Sequence, residues 1–177
     1  MVKKIAIGLA ILAAALLGFA ALQPDSVVIQ RSETIQAPVA KVQALVHDFH
    51  AWEQWSPWDR LDPQMKRSYS GTTSGTGAIY EWQGNDEVGS GRMTITAVDP
   101  GKAVRIHLEF TEPWQASNTT VFTFAESGSA TRVTWIMTDS NRSFASKLAG
   151  LVMDMDAAVG KDFEAGLENL KAISEKP

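Results

Sequence analysis

The histidines and acids near position 50 are the first candidates for chemistry in this 177-residue chain. His47 and His50 lie three residues apart, with Asp48 between them and Glu53 close behind. Imidazole nitrogens and carboxylates together can form metal or acid–base sites. The spacing is neither H-x-x-x-H nor H-E-x-x-H, and histidines beside aromatic residues are common near a helix end. We therefore predict no metal ion here.

Covalent catalysis has little support in the sequence. The absence of cysteine excludes thiolate nucleophiles, disulfides and cysteine metal sites. No G-x-S-x-G sequence is present, and no serine is placed beside a histidine and an acid. The acids Asp154 and Asp156 stand where a helix should begin, and Asp86 and Glu87 in a predicted turn, so both pairs have structural explanations. We predict no catalytic residue and no cofactor, which favours a protein that is not an enzyme.

A set of aromatic and methionine side chains gives the strongest functional signal. Small-molecule pockets are mostly apolar and carry few polar groups. We predict that the ligand-binding residues are Trp58, Tyr80, Trp82, Met93, Phe110, Trp114, Phe122 and Trp135. Core packing explains any one of them alone, but a curved sheet cannot hide the whole set behind one helix.

Three tryptophans fall within seven residues, at positions 52, 55 and 58. Trp52 and Trp55 lie on one side of a short predicted helix, where they would anchor the backbone to the core. Pro57 breaks that helix, because proline disfavours a helical residue before it. Trp58 can therefore point elsewhere, and we predict it at the rim of a pocket.

The elements that position these residues are mainly antiparallel strands. A strand is predicted from Ser26 to Ala37, followed by a helix that opens at Pro38 and the short tryptophan-containing helix. Six strands follow between Met65 and Asp139. Their residues alternate between apolar and polar, which indicates one packed and one solvated face. His107 falls on the solvated face.

The chain is predicted to end in one long helix from Ser143 to Ile173. It carries an apolar stripe at helical spacing, which consists of Met155, Val159, Phe163, Leu167 and Leu170. Gly160 and Gly166 each cost a helix about 1 kcal/mol relative to alanine. They indicate that something approaches the helix closely, and a strand is favoured over a ligand.

The N-terminal segment is apolar on every side. Eighteen uncharged residues from Ile5 to Leu22 follow Lys3 and Lys4. The segment is either a cleaved signal peptide or a membrane anchor. We favour the anchor, because the apolar run would reach almost to any cleavage site. The lysines then place the remainder outside the cytoplasm. We predict residues 1–24 as the anchor and residues 25–177 as a periplasmic domain at the inner membrane, or a secreted domain if the segment is cleaved.

The charge of the chain argues against nucleic acid as a partner. The formal net charge is -4, and without Lys3 and Lys4 the balance is 14 basic against 20 acidic side chains. Such a domain has no electrostatic attraction to a phosphate backbone.

Three stretches of the sequence resemble the bacterial polyketide cyclase/dehydrase-like branch of the SRPBCC superfamily: WEQWSPWDRLDP, YEWQGNDEVGSGRMTI and VGKDFEAGLENL. The superfamily is related to the lipid-transfer START domain and the birch-pollen allergen. The resemblance implies an α+β helix-grip fold, in which a curved seven-stranded antiparallel sheet surrounds a long C-terminal helix. It also implies a mostly apolar cavity under that helix.

These features lead to three hypotheses about function. The first is a membrane-tethered protein that binds a hydrophobic small molecule or lipid without catalysis. The second is an enzyme acting on a polyketide-type substrate, which would need an ionisable side chain in the cavity, such as Asp59, His50 or Glu112. The third is an interaction module, which an exposed apolar patch would favour.

Overall fold

The computed structural model describes residues 2–113, 115–140, 142, 144–151 and 154–176. Its elements are, in chain order, α1 (Val2–Ala21), β1 (Val27–Ile35), α2 (Val39–His47), a 3₁₀ helix (Phe49–Gln54), α3 (Trp58–Leu61), β2 (Lys66–Gly71), β3 (Ala78–Gln83), β4 (Ser90–Asp99), β5 (Ala103–Glu112), β6 (Ala116–Ser127), β7 (Ala130–Asp139), α4 (Phe144–Ala149) and α5 (Met155–Ser174). Trp114, which was predicted to bind ligand, lies outside the described residues.

The seven strands form one antiparallel sheet in the order β1-β7-β6-β5-β4-β3-β2. The alternating strands of the sequence place one apolar face against α5, which packs on β1. The predicted α+β helix-grip architecture is therefore confirmed. The helix broken at Pro57 is also confirmed, because the 3₁₀ helix ends at Gln54 and α3 begins at Trp58.

The C-terminal helix differs from the prediction. One continuous helix from Ser143 to Ile173 is wrong, because α4 and α5 are separate helices. Asp154 precedes α5 with an extended backbone, and its carboxylate accepts a hydrogen bond from the Ala157 N–H at 3.0 Å. This side chain pairs one of the N–H groups that a helix start leaves free, and it fixes where α5 begins.

The strand register gives the sheet two different ends. At the end that we call the open end, β1 begins opposite the last residue of β7, with Val27 facing Asp139. The connections β3–β4 and β5–β6 lie at the same end. The connections β2–β3, β4–β5 and β6–β7 lie at the opposite end, which we call the closed end.

The closed end is covered by α2 and fastened by a buried side chain. The Gln43 amide donates hydrogen bonds to the carbonyl oxygens of Asp99, at 2.9 Å, and Ala103, at 3.3 Å. Its oxygen accepts a hydrogen bond from the Gly101 N–H at 2.8 Å. All three partners belong to the β4–β5 turn and its edges, so α2 and the sheet are held together there.

Arg31 of β1 holds the first half of α5. Its guanidinium lies 2.6 Å from the Glu164 carboxylate and 3.0 Å from both the carboxylate and the backbone carbonyl of Asp156. A Cβ atom on Gly160 would lie only 1.9 Å from this guanidinium. Gly160 is therefore the residue that leaves room for Arg31 over the helix.

The N-terminal helix stands apart from the core. The most apolar 18-residue stretch of the 20-residue helix α1 has a mean hydropathy of 2.2, and only 6% of that stretch is buried. This length and composition suit either a membrane span or a signal sequence. Five residues, 22–26, join α1 to β1, and α1 packs against α4.

Candidate functional site

Cross-strand pairing arranges the concave face near the open end in two layers. Partners facing one another across strands have Cβ atoms roughly 5 Å apart. The inner layer consists of Tyr80, Met93, Leu108 and Asn118, and the layer next to the open end consists of Trp82, Gly91, Phe110 and Ala116. The structure thus brings together four of the predicted ligand-binding residues, namely Tyr80, Trp82, Met93 and Phe110.

Gly91 allows the Trp82 indole to lie across the sheet. A Cβ atom at Gly91 would be 2.5 Å from the Trp82 ring and 2.4 Å from the Glu109 carbonyl oxygen. The Trp82 N–H donates to the Val88 carbonyl oxygen at 3.1 Å, and the ring meets Phe110 edge-on at a centroid distance of 5.6 Å. The indole is thereby fixed, and one part of it stays accessible at the open end.

The other predicted aromatic residues lie in a packed cluster deeper in the molecule. The rings of Trp135 and Phe163 stack at 4.1 Å, and Phe122 lies 4.6 Å from Trp135. Phe122 and Trp135 are both buried. A Cβ atom on Gly166 would lie 2.8 Å from the Trp135 ring, so the predicted close approach to α5 comes from a strand side chain. Protein side chains therefore fill the deep part of the interior.

Trp52 and Trp55 complete this cluster, and their interpretation as anchors is confirmed. Both are buried, and their indole N–H groups donate to the carbonyl oxygens of Val46, at 2.9 Å, and Leu45, at 3.1 Å. Buried indoles need such partners. Trp58 is different, because it is only half-buried and lies 5.7 Å from Trp135. It stands at the edge of the cluster.

Two buried polar atoms face this interior without a partner. Within the described part of the chain, neither Asn118 Oδ1 nor the Trp135 indole N–H has a hydrogen bond, although the side chains are only 8% and 2% exposed. Leaving a buried polar group unpaired costs roughly 1–3 kcal/mol. Such groups in a native protein call for an explanation, and a bound molecule is one.

The sequence did not single out Asn118, but it contains a signal that could have found it. Phe124 and Phe122 alternate along β6 toward the core, and the same alternation continues to Thr120 and Asn118. Apolar residues give way to polar ones while the face stays buried. A polar residue on an apolar face near the open end is typical of a group that orients a ligand.

Asp162 of α5 was also missed. It is half-buried beside Trp58, and burial raises its pKa, while a hydrogen bond with the Trp58 side chain opposes that shift. A carboxyl group with a raised pKa at the edge of an interior is a candidate for binding or proton transfer. In the sequence, the only indication of such a role is that Asp162 directly precedes Phe163 of the apolar stripe.

The three ionisable residues considered from the sequence are placed differently. Asp59 is nearly buried, but its carboxylate is paired with the Arg67 guanidinium, whose Nε lies at 2.8 Å. His50 is exposed and stacks on Tyr69 at 4.1 Å. Glu112 is exposed and accepts a hydrogen bond from the Ser90 hydroxyl at 3.0 Å. None of the three is a free group directed into the interior.

The tyrosines near Arg67 are neutral phenols at physiological pH. Burial and a hydrogen bond to the Glu53 carboxylate raise the pKa of Tyr69 to about 12. Burial likewise raises the pKa of Tyr80.

Among the described residues, no group of three His, Asp or Glu side chains could hold a metal ion.

His107 lies on the outer face, as predicted, 3.6 Å from the Glu109 carboxylate. Arg92 and Glu81, on neighbouring strands of the same face, form an ion pair at 3.8 Å. These outer charges border an open groove of about 700 Å³ at the open end. Its lining consists of Glu81, Trp82, Gly91, Arg92, Glu109, Phe110, Thr111, Gln115, Ala116 and Ser117.

Fold and site together define a helix-grip protein whose apolar interior is packed with side chains and borders an open groove at the open end of the sheet. The chain belongs to the family described as polyketide cyclase/dehydrase and lipid transport, whose model matches residues 26–175. This places it in the SRPBCC superfamily, as the sequence indicated. No functionally curated protein is significantly similar to it.

Solved structures share this fold at low sequence identity. Protein CV1439 from Chromobacterium violaceum is 15% identical, with a TM-score of 0.60 over 85% of this chain and 99% of that one. Protein Ms6760 from Mycobacterium smegmatis is 22% identical, with a TM-score of 0.58 over 85% and 92%. Ara h 8.0201 is 12% identical, with a TM-score of 0.56 over 83% and 99%. At these identities the likeness concerns the fold. Family membership supports a role in hydrophobic-ligand binding or a cyclase-like role.

Proposed function

We propose that this protein is a membrane-tethered binding protein for a hydrophobic small molecule or lipid, and that it does not act as a catalyst. The ligand lies between α5 and the two open-end layers of the sheet. In this proposal α1 is an uncleaved inner-membrane anchor, and the domain faces the periplasm.

The unpartnered oxygen of Asn118 is the observation that carries the proposal. It lies opposite Leu108, a half-buried apolar residue, in the inner open-end layer. A molecule that covers Leu108 would gain apolar burial of about 25 cal/mol per Å². A hydroxyl, amide or protonated acid group on that molecule could donate a hydrogen bond to Asn118 Oδ1. The expected ligand is therefore apolar with one hydrogen-bond donor.

The proposal is tested by filling the site. A pyrene-labelled long-chain alcohol serves as the probe, because it combines an apolar chain with a donating hydroxyl. The full chain in lipid nanodiscs should bind the probe with saturable fluorescence, and Leu108→Trp should abolish binding by occupying the space. The matched control is His107→Trp, which places the same side chain on the outer face of the same strand. Equal binding by the two variants would refute the site.

The non-catalytic part is tested separately. Lipid-like molecules that copurify with the full chain are extracted and identified by mass spectrometry. They should be recovered unchanged after prolonged incubation with the protein, and a time-dependent product would contradict the proposal.

A cyclase-like enzyme is the second candidate, and Asp162 is the observation that favours it. A half-buried acid with a raised pKa can donate or accept a proton within a bound substrate. The test is turnover of a poly-β-ketone thioester by the wild-type chain and by Asp162→Asn. General acid–base catalysis predicts a loss of roughly 10²-fold or more in the variant. If the wild type shows no turnover, this candidate is rejected.

A further inference from the structure

The apolar side chains around α4 form an exposed face beside the end of α1. Phe144 and Leu148 of α4 are 47% and 39% exposed, and Met155 at the start of α5 is 40% exposed. Phe19 and Leu22, at the end of α1 and just beyond it, are also exposed. We call Phe144, Leu148 and Met155 the α4 face. Three large apolar side chains in so short a segment have no partner within the described chain that buries them.

The chain between α1 and β1 holds this face at a fixed place. Five residues can span at most roughly 17 Å, so β1 cannot start far from the end of α1. Within this linker, the Asp25 carbonyl oxygen accepts a hydrogen bond from the Arg142 N–H at 3.0 Å. The Asp25 carboxylate pairs with the Lys147 ammonium group of α4. The end of α1, the linker and α4 are therefore connected directly.

The strand register puts the ligand site at the same end. β7 leads into α4 from the open end, and β1 starts there. Asn118 and Phe110 belong to the layers nearest to that end. A bilayer that contains α1 therefore lies on the side of the molecule on which the interior is accessible.

We propose that the α4 face docks on the surface of the bilayer that α1 spans, so that the open end faces the lipid. This inference rests on the membrane-anchor part of the proposed function. The bilayer is the occupant that the structure favours, because the α4 face continues the apolar surface of α1 and is joined to it by packing. A hydrophobic ligand would then pass between membrane and interior without crossing bulk water.

The absence of cysteine makes the docking directly measurable. Single-cysteine variants Phe144→Cys and Leu148→Cys of the full chain are labelled with an environment-sensitive nitrobenzoxadiazole dye and reconstituted in vesicles of phosphatidylethanolamine and phosphatidylglycerol. Interfacial helices lie roughly 5–10 Å into the headgroup boundary. Lipids that carry a spin label near the headgroup should therefore quench both dyes. The control is Ser129→Cys in the β6–β7 turn at the closed end, which should remain unquenched.

Each outcome decides the inference. Quenching at positions 144 and 148 but not at 129 supports it. Dyes that shift to shorter wavelength without quenching by lipid overturn it and point to a contact with another protein copy. Vesicle flotation separates the two proposals: protein that floats while its dyes stay unquenched overturns the docking but keeps the anchor. Protein that does not float overturns both.

A transfer assay then tests what the docking does. The double variant Phe144→Ser/Leu148→Ser keeps the anchor and every residue of the ligand site. It should slow movement of the pyrene-labelled alcohol from donor vesicles into the protein by roughly tenfold, which corresponds to about 1.4 kcal/mol. Its equilibrium affinity for the probe should be unchanged. A variant with unaltered transfer rate would overturn the inferred route.

Discussion

The substitution Asn118→Leu should make the protein more stable and at the same time a weaker binder. Leucine has the same branched shape and number of side-chain heavy atoms as asparagine, and it removes a buried oxygen that has no partner among the described residues. An unpaired buried acceptor costs about 1–3 kcal/mol, and its removal should return part of that. For a domain of this size, each kcal/mol corresponds to roughly 2–4 °C in Tm. We expect Tm to rise by a few degrees in the absence of ligand.

The control is Gln43, a second buried side-chain amide, which lies in α2. Its side chain makes three hydrogen bonds with backbone groups of residues 99–103. Gln43→Leu should therefore lower the free energy of unfolding by about 2–4 kcal/mol, since each bond contributes about 1 kcal/mol and its loss leaves a buried backbone group unpaired. The two substitutions are chemically alike, and the expected changes in Tm have opposite signs.

Binding gives the second half of the test. Asn118→Leu should lower the affinity of the protein for the pyrene-labelled alcohol by roughly two- to tenfold, which is the equivalent of one hydrogen bond. It should leave binding of the corresponding pyrene-labelled hydrocarbon unchanged, because that probe has no donor. Circular dichroism provides Tm and fluorescence titration provides the affinities. If Asn118→Leu lowers Tm as Gln43→Leu does, the oxygen has a partner in the folded protein and the assignment of the site fails.

Two further substitutions test the open end. Gly91→Ala would place a Cβ atom 2.5 Å from the Trp82 ring and 2.4 Å from the Glu109 carbonyl oxygen. We therefore expect the free energy of unfolding, measured in urea, to fall by about 1–3 kcal/mol. A change below about 0.5 kcal/mol would contradict the close packing. Burial raises the pKa of Asp162 above its unfolded value, so its contribution to stability is present at low pH and is lost as the pH rises through the folded pKa. Asp162→Asn should accordingly gain stability relative to wild type between pH 4 and pH 7 in denaturant unfolding, and a relative loss over that range would refute the raised pKa.

The fold was largely predictable because alternation and helical periodicity report burial directly. The residues from Val104 to Phe110 alternate without exception, and the register of β5 follows this pattern. The acids Asp154 and Asp156 indicated a helix start, but one continuous helix was predicted, because the helical pattern continues across the break between α4 and α5. The Ala157 N–H donates a hydrogen bond to the Asp154 carboxylate and so stabilises the start of α5, and propensity does not reveal which aspartate will cap.

The candidate site was predictable only as a set of side chains on one face. Which of these side chains pack together depends on where the 3₁₀ helix places Trp52 and Trp55 in the core. That placement is set by contacts between elements far apart in the sequence, which alternation along one strand does not reveal. Phe122 and Trp135 pack against these tryptophans and are therefore core residues. Tyr80 and Trp82 lie beyond that insertion, near the open end. The polar atoms of Asn118 and Asp162 were missed because a sequence does not show which polar groups lack partners.

The first turn of α5 and its later turns are attached to the sheet by different forces. The later turns are held mainly by buried Phe163, Leu167 and Leu170, beside one ion pair between Lys171 and Glu33. The first turn is held by Arg31, whose partners Asp156 and Glu164 are more than half exposed. Charge pairs at a surface weaken as ionic strength rises, and apolar packing does not. Backbone amides at the start of α5 should therefore exchange with solvent faster in high salt, while those around Leu167 and Leu170 keep their protection.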